Sequence, residues 1–593
     1  MPASDLSDPG FTRPSGQGPG ERRLNGIQTT GRAYRDLSAP VHPVGAQFDV
    51  PIPVSDGARL LCDVYRPRAE GRFPSLVAFS PYPRQIQNSG APLGFVEAGA
   101  SDFFAPRGYA HVIVNARGTC GSEGIYGLFD ERERRDLYDV IEWTAAQPWC
   151  DGNVGMLGIS YFGMAQLHAA AAAPPHLRAV FPLAAATDLY RHVSWHGGML
   201  SQRFLGAWMA GLGILGGGSG RLWRSQPAQL ASRLLRTDAV HRRFEGMNGE
   251  AAIATLGKVM RAHYDPHPWD DLYFAAVAEH PLYDDFWAER DATPRLSSVR
   301  IPVYLGAEWS NVPLHLPGLF TALDALQDAT HVRAALMSRG GLSWPWESQH
   351  VEALAWYDRW LKQRDTGILE GPPIRYWLAG ADEWRTAERW PPPGMRQEPL
   401  YLGTDGRLVG ADAATRGERE YLFVPPGLER PPGASRPTLP SALAWETAPF
   451  SEPRDVVGPA VLVLDARTTA ADVDWIVKLQ LLGPDGEATD LTQGWLRASH
   501  RFLDEERSLP WRPWHPHDRV EPVPPRTDVR YVIGLVPTAQ RVLPGYRLRL
   551  LVTSSDLERG VAMLGFVHLP LASPSRQTVR SSSRLLLPVI DAS

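Results

Sequence analysis

Cysteine is almost absent: three residues, Cys62, Cys120 and Cys150, in a chain of 593. They form no CxxC pair and no Cys/His cluster with zinc-ligand spacing, which excludes a disulfide framework and a zinc site of that kind. Charge of one sign is lacking as well. Lys and Arg number 60 against 65 Asp and Glu, a net charge of −5, far from the basic balance of a nucleic-acid binder. No run approaches about 18 consecutive apolar residues, so no spanning helix is expected. The first residues contain no apolar run long enough for a secretory signal. These absences point to a metal-free cytoplasmic protein in a reducing compartment, most often an enzyme, rather than to a binder of nucleic acid or a protein that spans a membrane.

What is present is a globular composition, 44% hydrophobic and 21% charged. The length suits two to four domains at about 150 residues each. Twenty tryptophans and 54 prolines stand out. The tryptophans read first as large core and sheet-packing residues.

Residues 1–45 are rich in Gly, Pro, Ser and Arg without hydrophobic periodicity, and read as a disordered leader whose removal leaves folding intact. Beyond them strands and helices alternate. Ala58–Arg66 follows the Asp56-Gly57 turn, and Ser75–Ser80 and Ala110–Val114 are short apolar runs suited to buried parallel strands. Glu131–Gln147 has helical spacing. Val154–Leu157, the Ala-rich helix Tyr161–Ala173, Ala179–Pro182 and Ile301–Leu305 continue the alternation of a doubly wound α/β core over 46–187 and 295–371. Between them, 188–294 carries helical patterns with a Gly-rich break at Gly213–Gly220, as in a helical cap. From 372 to 593 short β-type runs (Ala460–Leu464, Trp475–Leu482, Val529–Leu535, Tyr546–Val552) read as an all-β sandwich.

The sharpest local signal is Gly158-Ile159-Ser160-Tyr161-Phe162-Gly163. A strand enters a Gly-flanked serine and leaves directly as a helix, the context a nucleophile elbow requires. The second glycine falls three residues after Ser160 rather than two. The N–H of Tyr161, at the helix N-terminus, suits an oxyanion.

This stretch resembles the GxSYxG of the cocaine esterase and X-Pro dipeptidyl-peptidase (CocE/NonD) α/β-hydrolases. Ser55–Leu60 with Asp63–Pro67, Ser80-Pro81-Tyr82-Pro83-Arg84, Ala116–Thr119 with Gly121–Gly124, and Gln147–Gly152 resemble the same group. So do His280–Trp287, Asp365-Thr366-Gly367 and Pro544–Arg549. The resemblance implies an α/β-hydrolase core, an inserted helical cap and a C-terminal jelly roll. It also implies hydrolysis of a small-molecule ester or amide, or acyl transfer, through an acyl-Ser160 intermediate without metal or organic cofactor, with the Tyr82 hydroxyl and the Tyr161 N–H as oxyanion donors.

Two catalytic positions depart from the family. Where its Trp-x-Asp stands, this chain has Trp309-Ser310-Asn311, with Glu308 as a nearby carboxylate. Where its histidine follows the strand Val332–Met337, Ser338–Trp344 contains none. His350, at the start of the next helix, is then the first candidate base and His315 the second. His192, His196, His263 and His267 of the cap read as packing or capping residues. Trp195, Trp208 and Trp223 hint at an apolar or aromatic acyl group. The departures leave open altered, non-hydrolytic chemistry such as cyclisation or elimination, or a binding protein without turnover.

Overall fold

The computed structural model describes residues 28, 30–88, 95–217, 221–227, 230, 269–342, 346–426, 428, 439–556 and 565–591. Ten strands make the core sheet: β1 (Val44–Pro53), β2 (Arg59–Pro67), β3 (Phe73–Ser80), β4 (Ala110–Asn115), β5 (Cys150–Ile159), β6 (Leu177–Leu183), β7 (Val303–Glu308), β8 (Val332–Met337), β9 (Ile374–Leu378) and β10 (Glu383–Ala387). Their spatial order is β1-β2-β4-β3-β5-β6-β7-β8-β9-β10. β4, β3, β5, β6, β7, β8 and β9 run parallel, while β1, β2 and β10 pair antiparallel. This is the α/β-hydrolase arrangement, and the near-continuous burial of β3 and β4 is what a sheet covered on both faces needs.

Helices α1 (Glu131–Ala145), α2 (Tyr161–Ala172), α3 (Gln202–Gly216), α4 (Leu316–Ala325) and α5 (His350–Leu361) surround the sheet and cap. The N-terminus of α1 is fixed by Asp130, whose side chain accepts from the Glu133 N–H. α2 is buried on almost every residue, so its Ala-rich sequence reflects close helix–sheet packing rather than an amphipathic face.

The core sheet extends beyond the expected boundary at 371. β9 pairs with β8 in parallel, and β10 returns against β9 with Trp377 opposite Trp384. Short alternating strands look alike in a sandwich and at a sheet edge, so pattern alone assigned them to the wrong layer. The β-domain therefore starts at Arg396. It contains a nine-stranded and a four-stranded sheet. Leu462, Leu464 and Leu585 of one sheet meet Trp475, Val477 and Leu550 of the other in a shared core.

The expected leader also needs correction. Residues 1–27 and 29 lie outside the described residues, but residues 30–43 are bonded to the core. Ser38 donates from N and Oγ to Asp358 at 2.6 Å each, Thr30 Oγ1 donates to Glu352, and Arg35 pairs with Asp365. Ser38 and Asp358 are buried, so each bond replaces water that cannot enter. Deleting residues 1–45 is accordingly expected to lower the melting temperature, because the Asp358 and Glu352 carboxylates lose buried partners. Scanning calorimetry of the truncated chain checks this.

In the cap, the strands do not stop entirely: Trp195–His196 and Met199–Leu200 form a short hairpin. Gly213 and Gly216 of the expected break lie inside α3, while 218–220 fall outside the described residues. Gly216 sits where a Cβ would press on the Pro81 carbonyl at 3.0 Å, so the glycine lets α3 approach the Tyr82 loop. Among the described residues no helix is long and apolar enough to cross a membrane.

Candidate active site

Ser160 stands at the C-terminal end of β5 with φ 61° and ψ −118°, a conformation costly for a residue with a Cβ. Its surroundings over-determine it. The Ser160 N–H donates to the Leu183 carbonyl at 3.0 Å, and its carbonyl accepts from the Met164 N–H at 2.8 Å. A Cβ on Gly158 would strike Phe162, and one on Gly163 would strike the Leu183 carbonyl. The second glycine therefore belongs three residues after Ser160, because α2 passes closest to the end of β6 there. The Ser160 side chain makes no capping bond, so its hydroxyl stays available.

Tyr82 follows β3. Its N–H donates to Ser80 Oγ at 3.0 Å and its carbonyl accepts from Asn115 Nδ2 at 2.7 Å. Next to it Arg84, fully buried, donates to Asp63 at 3.1 Å and to Asn115 at 2.8 Å. The Tyr82 hydroxyl accepts from Trp208 Nε1 of α3 at 3.0 Å, which leaves its own proton to donate elsewhere. Burial, with the Glu97 carboxyl adding to it, pushes its pKa up, so it stays a neutral donor. Its ring lies 5.9 Å from that of Tyr161, edge to face.

The Tyr161 N–H begins α2 and has no intrahelical partner. The Tyr161 hydroxyl donates to Glu133 Oε1 at 2.6 Å and accepts from Tyr126 at 2.9 Å. Glu133 Oε2 accepts from the Phe129 N–H at 2.8 Å, and Phe129 stacks on the Tyr161 ring at 4.3 Å. Glu133 and Tyr126 were not singled out from the sequence. They lie 28 and 35 positions from Tyr161 in the chain, a separation that no local pattern records.

Burial pushes the Glu133 carboxyl up to about 8, against the bonds from Tyr161 and Phe129. Its folded pKa thus lies above the unfolded value, so its contribution to stability is complete below about pH 4 and is lost as pH rises through about 8. Glu133→Gln is expected to flatten the fall in melting temperature between pH 5 and 8, which a pH series of thermal scans measures.

The two expected acid positions behave differently. Asn311 lies on the turn after β7, and its side-chain amide is 2.8 Å from His315 Nδ1. Glu308 does not face a histidine. Its carboxylate accepts from Ser310 Oγ at 2.6 Å and from the Leu342 N–H at 3.1 Å, so it ties the turns after β7 and β8 together.

His350 does not stand free as a base. It is fully buried, its Nε2 accepts from the Ala100 N–H at 3.1 Å, and its ring stacks on Trp346 at 4.6 Å beside Phe103 and Phe104. The lone pair needed for Ser160 is already taken, and the helix-start position that made His350 attractive turns it into the core. His315 is buried too, but its Nε2 makes no hydrogen bond among the described residues. Burial pushes its pKa down to about 3, which keeps it neutral.

His192 approaches Asp188 N and Thr321 Oγ1, and His196 pairs with His568 at 2.9 Å, so both are packing residues of the cap. His263 and His267 lie outside the described residues. Trp195, Trp208 and Trp223 are all buried, and of the three Trp208 reaches the Tyr82 hydroxyl.

Residues 56–341 match the family model of the X-Pro dipeptidyl-peptidase (S15 family), and residues 366–574 match its C-terminal non-catalytic domain. The chain is 28% identical to cocaine esterase of Rhodococcus sp. (strain MB1 Bresler) over 556 residues, 86% of this chain and 91% of the relative. It is 27% identical over 614 residues to a putative serine esterase of Mycobacterium bovis, 91% of this chain and 94% of the relative. A CocE/NonD family hydrolase from Staphylococcus aureus shares the fold with a TM-score of 0.72 at 22% identity, over 98% of this chain and 100% of that one. An alpha-amino acid ester hydrolase does so with a TM-score of 0.68 at 20% identity, over 94% and 98% of the two chains. An elbow serine at the end of β5, a hydrolase sheet and a C-terminal β-domain agree with these matches, and the chain belongs to the X-Pro dipeptidyl-peptidase (S15), CocE/NonD-type family of hydrolases.

Proposed function

We propose that the chain hydrolyses carboxylic esters through an acyl-Ser160 intermediate. The observation that carries this reading is the strained, glycine-supported backbone of Ser160, which has no structural reason to persist if the hydroxyl is idle. Tyr82 Oη and the Tyr161 N–H are the oxyanion donors. His315 takes the Ser160 proton on Nε2 as Oγ adds to the ester carbonyl, and returns it to the departing alkoxide. Water repeats the cycle and frees the acid.

The Asn311 amide nitrogen faces His315 Nδ1 at 2.8 Å; with the amide turned over, its Oδ1 accepts from the Nδ1–H and Nε2 keeps the lone pair a base needs. An amide orients imidazole but adds no charge to stabilise imidazolium. That favours esters over amides, whose poorer leaving group depends more on the protonated base. Phe95, packed 4.8 Å from Tyr82, and Phe204, stacked 6.0 Å from Trp208, support an apolar acyl group.

Hydrolysis of p-nitrophenyl esters with an acyl burst tests the reading. Tyr82→Phe is expected to lower kcat by about 10- to 1000-fold, as one oxyanion donor is lost, with a modest fall in melting temperature because Trp208 Nε1 loses its acceptor. Unchanged kcat removes Tyr82 from the mechanism. A second reading, binding without turnover, rests on the absence of histidine between Ser338 and Gln349. It takes over if neither burst nor turnover is seen with any acyl ester.

A further inference from the structure

Between β4 and α1, Leu128 (φ 55°) and Phe129 (φ 61°) are two consecutive non-glycine residues in left-handed conformations. Such strain persists only where the surroundings hold it. The Phe129 N–H donates to Glu133 Oε2 at 2.8 Å, its carbonyl accepts from Arg134 at 3.1 Å, and the Gly127 carbonyl accepts from Arg290 at 3.0 Å. Asp130 caps α1 so close behind that a Cβ on Gly127 would overlap its carboxylate.

The strained turn converges on one side chain. It lays the Phe129 ring on that of Tyr161 at 4.3 Å, and Tyr126, at its start, donates to the Tyr161 hydroxyl at 2.9 Å. Glu133 completes the grip by accepting from the same hydroxyl at 2.6 Å. One partner satisfies a buried phenol, and this one has two besides a stacked face.

Both oxyanion donors depend on where that ring lies. The Tyr161 N–H shares a peptide plane with the Ser160 carbonyl, which the Met164 N–H holds at 2.8 Å. The main chain thus fixes one side of the plane, and the Tyr161 Cα, anchored through its ring, fixes the other. The same ring meets that of Tyr82 edge to face at 5.9 Å, so it also backs the second donor.

We propose that Glu133, with Phe129 and Tyr126, is a positioning residue for the oxyanion hole, acting through the Tyr161 side chain to hold the Tyr161 N–H and the Tyr82 hydroxyl where the oxyanion forms. This role presupposes the acyl-Ser160 chemistry proposed above. Oxyanion donors work because they are preorganised, and a displacement of about 1 Å costs about 100-fold in rate.

Hydrolysis of p-nitrophenyl esters by Tyr161→Phe, Glu133→Leu and Glu133→Gln, with inhibition by phenylboronic acid measured alongside, tests this. The boron accepts Ser160 Oγ as the serine proton passes to the base, and the tetrahedral adduct mimics the transition state in the same hole. Tyr161→Phe keeps the N–H and the ring but loses the hydroxyl that Glu133 and Tyr126 hold. The expected result is a kcat about 10- to 100-fold lower in Tyr161→Phe and Glu133→Leu at unchanged KM, with phenylboronic acid bound more weakly by a similar factor. Burial pushes the Glu133 carboxyl up to about 8, so it is mostly neutral at pH 7. Glu133→Gln offers a donor and an acceptor as the neutral acid does, and is expected to stay within about threefold of wild type.

A merely structural role lowers the melting temperature but leaves kcat per folded chain and boronate affinity unchanged; that result in Tyr161→Phe overturns the proposal. A rise in KM at constant kcat also overturns it, by placing the ring in the acyl pocket. Fluorophosphonate labelling separates the two levels. Wild type that labels on Ser160 and turns over esters, beside an unaffected Tyr161→Phe, refutes the positioning role alone. Wild type that neither labels nor turns over refutes the esterase reading, and the positioning role with it.

Discussion

Ser160→Ala is expected to lower kcat/KM for p-nitrophenyl acyl esters by about 10,000-fold or more, with the acyl burst gone. The size of the effect follows from what the serine does. Without Oγ there is no covalent intermediate, and the oxyanion donors alone give only modest rate over water. The fold should survive. Alanine keeps a Cβ at φ 61°, so it inherits the backbone strain without adding to it, and the bonds to Leu183 and Met164 are made by main-chain atoms. A wild-type melting temperature with lost turnover is therefore the expected pair of results. Turnover within about tenfold of wild type would move the chemistry to another residue.

His315→Gln is expected to cost about 1000-fold in kcat/KM, whereas His350→Gln acts through stability, because it disturbs the bond to Ala100 and the stack on Trp346. The pH profile separates the two further. With burial holding His315 down to about 3, wild-type kcat/KM has no acid limb between pH 5 and 7. Asn311→Asp places a carboxylate where the amide now meets Nδ1, and raises the His315 pKa by stabilising imidazolium. The expected outcome is a kcat about 10- to 100-fold above wild type at pH 8, with a new acid limb at higher pH than the wild type shows. No change in either rate or profile would remove the Asn311–His315 pair from the mechanism.

The alternation of strands and helices, the elbow and the place of Tyr82 just after a strand were legible because each rests on local pattern. A buried strand followed by Gly-x-Ser and a helix permits few backbone paths, and Ser80–Arg84 is a short loop after a strand. Four things were not legible. Which histidine serves depends on where ring nitrogens point, and nothing in the spacing of His315 or His350 encodes that. Glu133 carries no local signal of its role, because its tie to Tyr161 spans 28 positions. β9 and β10 looked like sandwich strands because period-2 alternation says which face is buried but not against which sheet. Similarly, Ser38 and Thr30 carry no hydrophobic signal. Their packing is a matter of buried hydrogen bonds to Asp358 and Glu352, which composition does not register.

The central claim is that Ser160 is an acylated nucleophile, and intact mass spectrometry of the full chain tests it most directly. After reaction with a fluorophosphonate or a slowly released p-nitrophenyl ester, wild type is expected to gain the mass of one phosphonyl or acyl group, mapped to the peptide containing Ser160. Ser160→Ala is expected to gain none. A folded wild-type protein that gains no mass, or an equal gain in Ser160→Ala, would contradict the account.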